Sequence, residues 1–135
     1  MNTVRNILAV ILGFMIGNVA NMLTITLGHA ILPPPAGFDQ TSFEGVATTI
    51  QFLRPIDFTV PFLAHAIGPL VGVLSAMFIA ASSRKMIAII LGALFLAGGI
   101  AANIMIPAPM WYRAVDVIFA YVPMAFLGWK LSRKE

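Results

Sequence analysis

Four stretches of this chain are apolar, nearly free of charge and long enough to cross a lipid bilayer. A helix needs about 20 mainly apolar residues for that crossing. Residues 6–28 carry no charged side chain. Residues 58–81 have His65 as their single ionisable group, and residues 86–106 have Asn103 as their single side-chain amide. Residues 110–129 form the weakest stretch, because Arg113 and Asp116 fall in its first two turns. Composition points the same way: 60% of the 135 residues are apolar and 10% are charged. Soluble domains average roughly 45–50% and 25%. So few charges could not cover the surface of a soluble domain. The fold class read from this is all-α: a polytopic membrane protein, a four-transmembrane-helix up-down bundle in one domain over residues 1–135.

Several function classes fall away at once. The apolar excess excludes disorder. The eight basic residues are scattered, which argues against nucleic acid as a partner. The absence of cysteine removes disulfides, iron–sulfur clusters, thiolate zinc and Cys nucleophiles. Neither a serine-based triad nor a Gly-rich phosphate loop is present. No cofactor and no metal is predicted, and the partner expected is the lipid bilayer. The first stretch exceeds the roughly 7–15 apolar residues of a signal peptide and is read as a retained helix.

Basic residues orient the chain, because cytoplasmic loops carry an excess of Lys and Arg. With a cytoplasmic N-terminus, the inside holds Arg5, Arg84, Lys85, Lys130, Arg133 and Lys134, and the outside only Arg54 and Arg113. Both termini are then cytoplasmic. Trp111 and Tyr112 fall at the outer aromatic belt and Trp129 at the inner one. The links at residues 82–85 and 107–109 are short and make neighbouring helices antiparallel. The long outer loop, residues 33–57, starts with the stiff run Pro33-Pro34-Pro35. Thr41-Ser42-Phe43-Glu44 matches a capping box. Behind it, Phe43, Val46, Ala47, Ile50 and Leu53 recur at helical spacing. This predicts an amphipathic outer helix of about three turns, lying on the membrane or over the bundle as a lid.

Small residues let membrane helices approach closely. Gly13 and Gly17, Gly68 and Gly72, and the Ala97-Gly98 region with Ala93 and Ala101 are the expected packing faces, within the chain or in a homo-oligomer. Pro69 and Pro123 are read as helix kinks. The polar residues inside the spans are the candidate site, since an intramembrane ionisable group is costly. Asn18, Asn21, His65, Asn103 and Asp116 are expected to line a polar interior, with His29, Glu44 and Arg113 at its mouth. Structural readings stand beside this one. Arg113 and Asp116 are three apart and could form a helical ion pair. His65 could be a neutral imidazole bonded inside the bundle, and the Asn residues interhelical glue. A metal set from His29, His65, Asp116 and Glu44, a haem between the two histidines, and a His65–Asp116 proton relay are sharper alternatives.

Pro33-Pro34-Pro35-Ala36-Gly37-Phe38-Asp39, and Phe62-Leu63-Ala64-His65-Ala66-Ile67-Gly68 with Gly72, resemble segments of a group of small four-span bacterial membrane proteins. The resemblance covers most of the chain. It implies the bacterial inner membrane, with no established activity and no site residues. The leading expectation is a non-enzymatic oligomeric module that binds or passes a small solute or ion through an outward-facing pocket. The alternatives are an accessory subunit of a larger membrane complex, and a small membrane enzyme or metal- or haem-binding protein using His65 and Asp116.

Overall fold

The structure, a computed structural model, describes residues 1–133. Lys134, counted among the inner cations, lies outside the described residues. The described chain is helical, without strands: α1 (Asn2–Ile31), α2 (Phe43–Thr49), α3 (Thr59–Ile79), α4 (Arg84–Met105), α5 (Met110–Phe119) and α6 (Val122–Leu131). Short 3-10 turns at Ile50–Phe52 and Pro55–Phe58 join α2 to α3. Four helical stretches are long and apolar enough to cross a membrane: Asn2–Ile31, Pro55–Ile79, Arg84–Met105 and Met110–Leu131. They correspond to the four apolar runs of the sequence, each shifted by a few residues at its ends.

The α1–α3 contact follows from the small residues. Ala9, Gly13 and Gly17, spaced by four, are the buried residues of α1. A β-carbon on Gly13 would stand 2.8 Å from the Gly72 carbonyl oxygen, and one on Gly17 would stand 2.6 Å from that of Gly68. The two GxxxG pairs therefore face each other inside one chain, with backbone against backbone. Further along, Gly28 meets Val60, so residue numbers rise on α1 as they fall on α3 and the pair is antiparallel. At the other end Arg5 donates to the Ile79 carbonyl oxygen (2.9 Å). The Asn6 side-chain oxygen accepts from the amides of Ala81 and Ser82, both at 3.1 Å. Those contacts tie the start of α1 to the α3–α4 turn, where Ser83 adopts a left-handed conformation (φ 52°).

Within the chain, the α4 face that packs is one position off the Ala97-Gly98 pair. Gly98 has open space where a β-carbon would stand, and Ala97 is exposed. Gly92 and Gly99 face inward instead, Gly92 toward Ala125 and Gly99 under the ring of Tyr121. Adjacent glycines point about 100° apart on a helix, and a Gly-Gly pair does not reveal which one faces the bundle.

The two prolines behave differently. Pro69 is fully buried within an unbroken α3. Pro123 sits in the first turn of α6, after a break at Ala120 and Tyr121. Proline has no amide hydrogen and its ring clashes with the carbonyl four residues back, so the fourth apolar stretch, Met110–Leu131, is kinked into two helical segments. The outer helix is also shorter than expected. It starts one residue later, with Ser42 as its cap; Ser42 Oγ accepts from the Gly45 amide at 2.9 Å. It tightens into a 3-10 turn after Thr49. Behind it, Arg54 and Asp57 form a second cap: the Arg54 amide and Nε both donate to Asp57 Oδ2, at 2.8 and 2.9 Å, and Nη2 donates to Oδ1 at 2.8 Å.

Candidate functional site

Asp116 is 0% exposed, on the inner face of α5. Burying a carboxylate is costly unless hydrogen bonds replace its water. Helices α3 and α4 and the α5–α6 break supply them. From α3, His65 Nδ1 lies 2.8 Å from Asp116 Oδ1. From α4, Asn103 Nδ2 donates to Oδ2 at 3.1 Å, and from the α5–α6 break the Tyr121 hydroxyl donates to Oδ2 at 3.0 Å. The Tyr112 hydroxyl lies 3.5 Å from Oδ1, at the limit of a bond. The set is complete when every neighbour offers a hydrogen to an acceptor-only carboxylate. Nδ1 of His65 then carries the proton, and a neutral ring keeps its lone pair on Nε2.

The break before Pro123 makes this geometry possible. Residues five apart on a regular helix point roughly 140° apart. Only with α5 and α6 separated does Tyr121 reach back to Asp116. The missing side chain of Gly99 makes room for the phenol ring on α4. The Tyr121 ring also stacks on His65, with centroids 5.7 Å apart, and holds the imidazole plane.

Above this cluster lies a cavity of about 450 Å³, within the roughly 300–1,000 Å³ of small-molecule sites. Its floor is His65, Ala102 and Asn103; its walls include His29, Tyr112 and Phe58; and Phe43, Val46 and Ile50 of the outer segment roof it. The apolar face seen in the sequence thus covers the bundle. The His65 side chain is 24% exposed, and no described side chain is bonded to its Nε2. His29 Nδ1 is buried without a hydrogen-bond partner. The cavity is mostly apolar, and its polar lining comes from His29, His65, Asn103, Tyr112, Asp57 and the Gln40-Thr41-Ser42 edge.

His65, Asn103 and Asp116 are brought together, but only His65 and Asn103 line the cavity; Asp116 lies outside the lining, and His29 is at the mouth. Asn18 does not join them: it is exposed on α1 and bonds to the Phe14 carbonyl oxygen of its own helix at 2.8 Å. Asn21 faces Gly68 in the α1–α3 contact rather than the cavity. Glu44 is exposed and outside the lining. Arg113 is outside it too, and it makes no ion pair with Asp116. Its guanidinium donates to the Asn103 carbonyl oxygen near the end of α4, while Asp116 turns inward to His65. The proposed metal set is therefore not assembled, and among the described residues no three His, Asp or Glu side chains converge as a metal site requires. Sequence reasoning missed Tyr121 altogether and placed Tyr112 in an aromatic belt. The available signal was Tyr112 at i−4 from Asp116, one turn away on the same helix face.

Comparison with protein families, with curated proteins and with solved structures returns no match to this chain.

Proposed function

We propose that this chain is an integral membrane protein of the bacterial inner membrane, an up-down bundle with both termini cytoplasmic. In this reading it binds a small, mostly apolar molecule bearing one hydrogen-bonding group in the cavity under α2. One observation carries the reading: a fully buried Asp116 holds His65 by Nδ1 at the floor of a roofed cavity. A neutral imidazole bonded through Nδ1 leaves Nε2 free to accept from a ligand hydroxyl or N–H, and the His29 ring lines the same cavity near its mouth. Binding is favoured over passage because the lining ends at the His65 layer. Below it Val73, Leu91 and Phe95 are buried in the core.

The test is native mass spectrometry of the full chain extracted from membranes in mild detergent. The wild type is expected to retain a small molecule at fixed stoichiometry. Ala102→Trp, which fills the cavity floor, is expected to lose it while the thermal melt stays cooperative. A wild type that carries nothing, or an Ala102→Trp variant that carries the same adduct, would overturn the reading.

A further inference from the structure

The end of the bundle opposite the cavity has a different chemistry. Arg84 and Lys85 open α4, and Arg133 follows the end of α6. All three are exposed, and they line one cleft of about 650 Å³ with Trp129 and Ser132. The four described acidic residues, Asp39, Glu44, Asp57 and Asp116, belong to the cavity end. Among the described residues no carboxylate pairs with these cations. Arg84 Nη2 reaches the Ser132 carbonyl oxygen at a long 3.4 Å, and the Arg133 guanidinium rests over the Trp129 ring, 5.0 Å from its centroid. Ser83 makes no side-chain cap on α4, so the first-turn amides of that long helix also face this end.

The cleft continues into an apolar groove of about 330 Å³ between α4 and α6. Lys85 and Trp129 line both spaces. Small side chains, Ala88, Gly92, Ala93 and Ala125, leave the trough, and Phe126 walls one side. A concentration of cations without a carboxylate partner among the described residues, at the mouth of a chain-wide apolar groove, is complementary to one kind of molecule: an anion attached to a hydrocarbon chain. Basic pockets between membrane helices hold anionic lipid headgroups in this way.

We propose that cleft and groove together bind one anionic phospholipid of the adjoining leaflet. Its phosphate sits among Arg84, Lys85 and Arg133, and one acyl chain lies between α4 and α6. This site is independent of the cavity under α2 and of any ligand there.

Trp129 provides the readout. The chain has two tryptophans, and Trp111→Phe leaves Trp129 alone. The full-length single-tryptophan protein is reconstituted into phosphatidylcholine vesicles containing chain-brominated phosphatidylglycerol or chain-brominated phosphatidylcholine at equal mole fraction. Bromine quenches tryptophan only at close range. Brominated phosphatidylglycerol is expected to quench with about tenfold higher relative affinity, a preference that shrinks as salt is raised. The variant Arg84→Gln/Lys85→Gln/Arg133→Gln is expected to quench equally with both lipids. Ala93→Phe, which obstructs the groove but leaves the cations, is expected to weaken quenching by the brominated glycerol lipid. Equal quenching by the two lipids in the wild type would overturn the proposal. So would a preference unchanged by salt, or by the triple variant when its melt is native.

Discussion

At the scale of single residues, Asp116 is the hub on which the polar cluster depends. Its carboxylate accepts from His65, Asn103 and Tyr121, with Tyr112 at the margin. Asp116→Asn keeps the shape but turns an N–H₂ toward groups that already donate. Leaving buried donors without an acceptor costs about 1–3 kcal/mol. Tyr121→Phe removes one donor and leaves Asn103 on the same oxygen, so its loss is expected near 1 kcal/mol. Denaturation of both variants in detergent checks the order; a Tyr121→Phe variant less stable than Asp116→Asn would contradict the hub. A second carboxylate, Asp39 in the outer loop, is held below its ordinary pKa because the Thr41 hydroxyl and amide both donate to it. A depressed carboxylate contributes stability above its unfolded pKa and loses it as pH falls through the folded one. Anchoring of this loop is therefore expected to hold from neutral pH down to about pH 4 and to loosen only below it. Thr41→Val is expected to move the Asp39 titration, followed by carboxyl NMR, upward toward 3.8. An unmoved midpoint would exclude Thr41 as the cause.

At the scale of elements, the packing of α1 on α3 rests on absent side chains. Gly17→Ala would push a methyl group against the Gly68 carbonyl oxygen and the Phe95 ring. Neither the backbone nor a buried aromatic yields easily, so a loss of about 1–3 kcal/mol is expected. Gly98→Ala meets nothing and is expected to be neutral, or stabilising by up to about 1 kcal/mol through helix propensity. Melting both variants side by side in detergent is decisive, since equal effects would mean that the α1–α3 glycines are not close-packed. The GxxxG pairs were legible as packing faces, but not their partner. Spacing marks a smooth stripe, and only the fold shows that Gly13 and Gly17 meet Gly72 and Gly68 of the same chain. The cap of α2 was legible to within one residue, because Thr41 and Ser42 are adjacent hydroxyls and φ/ψ at Ser42 decides between them.

At the scale of the whole molecule, the absence of native cysteine makes the proposed topology directly testable. Single-cysteine variants at Thr3, Gln51 and Ser132 are treated with a membrane-impermeant maleimide on intact spheroplasts. Position 51 is expected to label at once, and positions 3 and 132 only after permeabilisation. Any other pattern would reverse or remove the proposed orientation. The sequence by itself determined the four apolar helices and the collection of polar groups near one end. Both follow from local properties, the length of apolar runs and their depth along a helix. Only the tertiary structure decided which groups meet. Rotation about each helix axis sets that outcome: it turns Asn18 outward, brings Asn103 and His65 onto one carboxylate, and hands Arg113 to a carbonyl instead of Asp116. Tyr121 required more, a break that converts residues five apart into neighbours. A proline signals where a helix can break but not the direction the chain takes afterwards, because packing against α3 and α4 sets that direction.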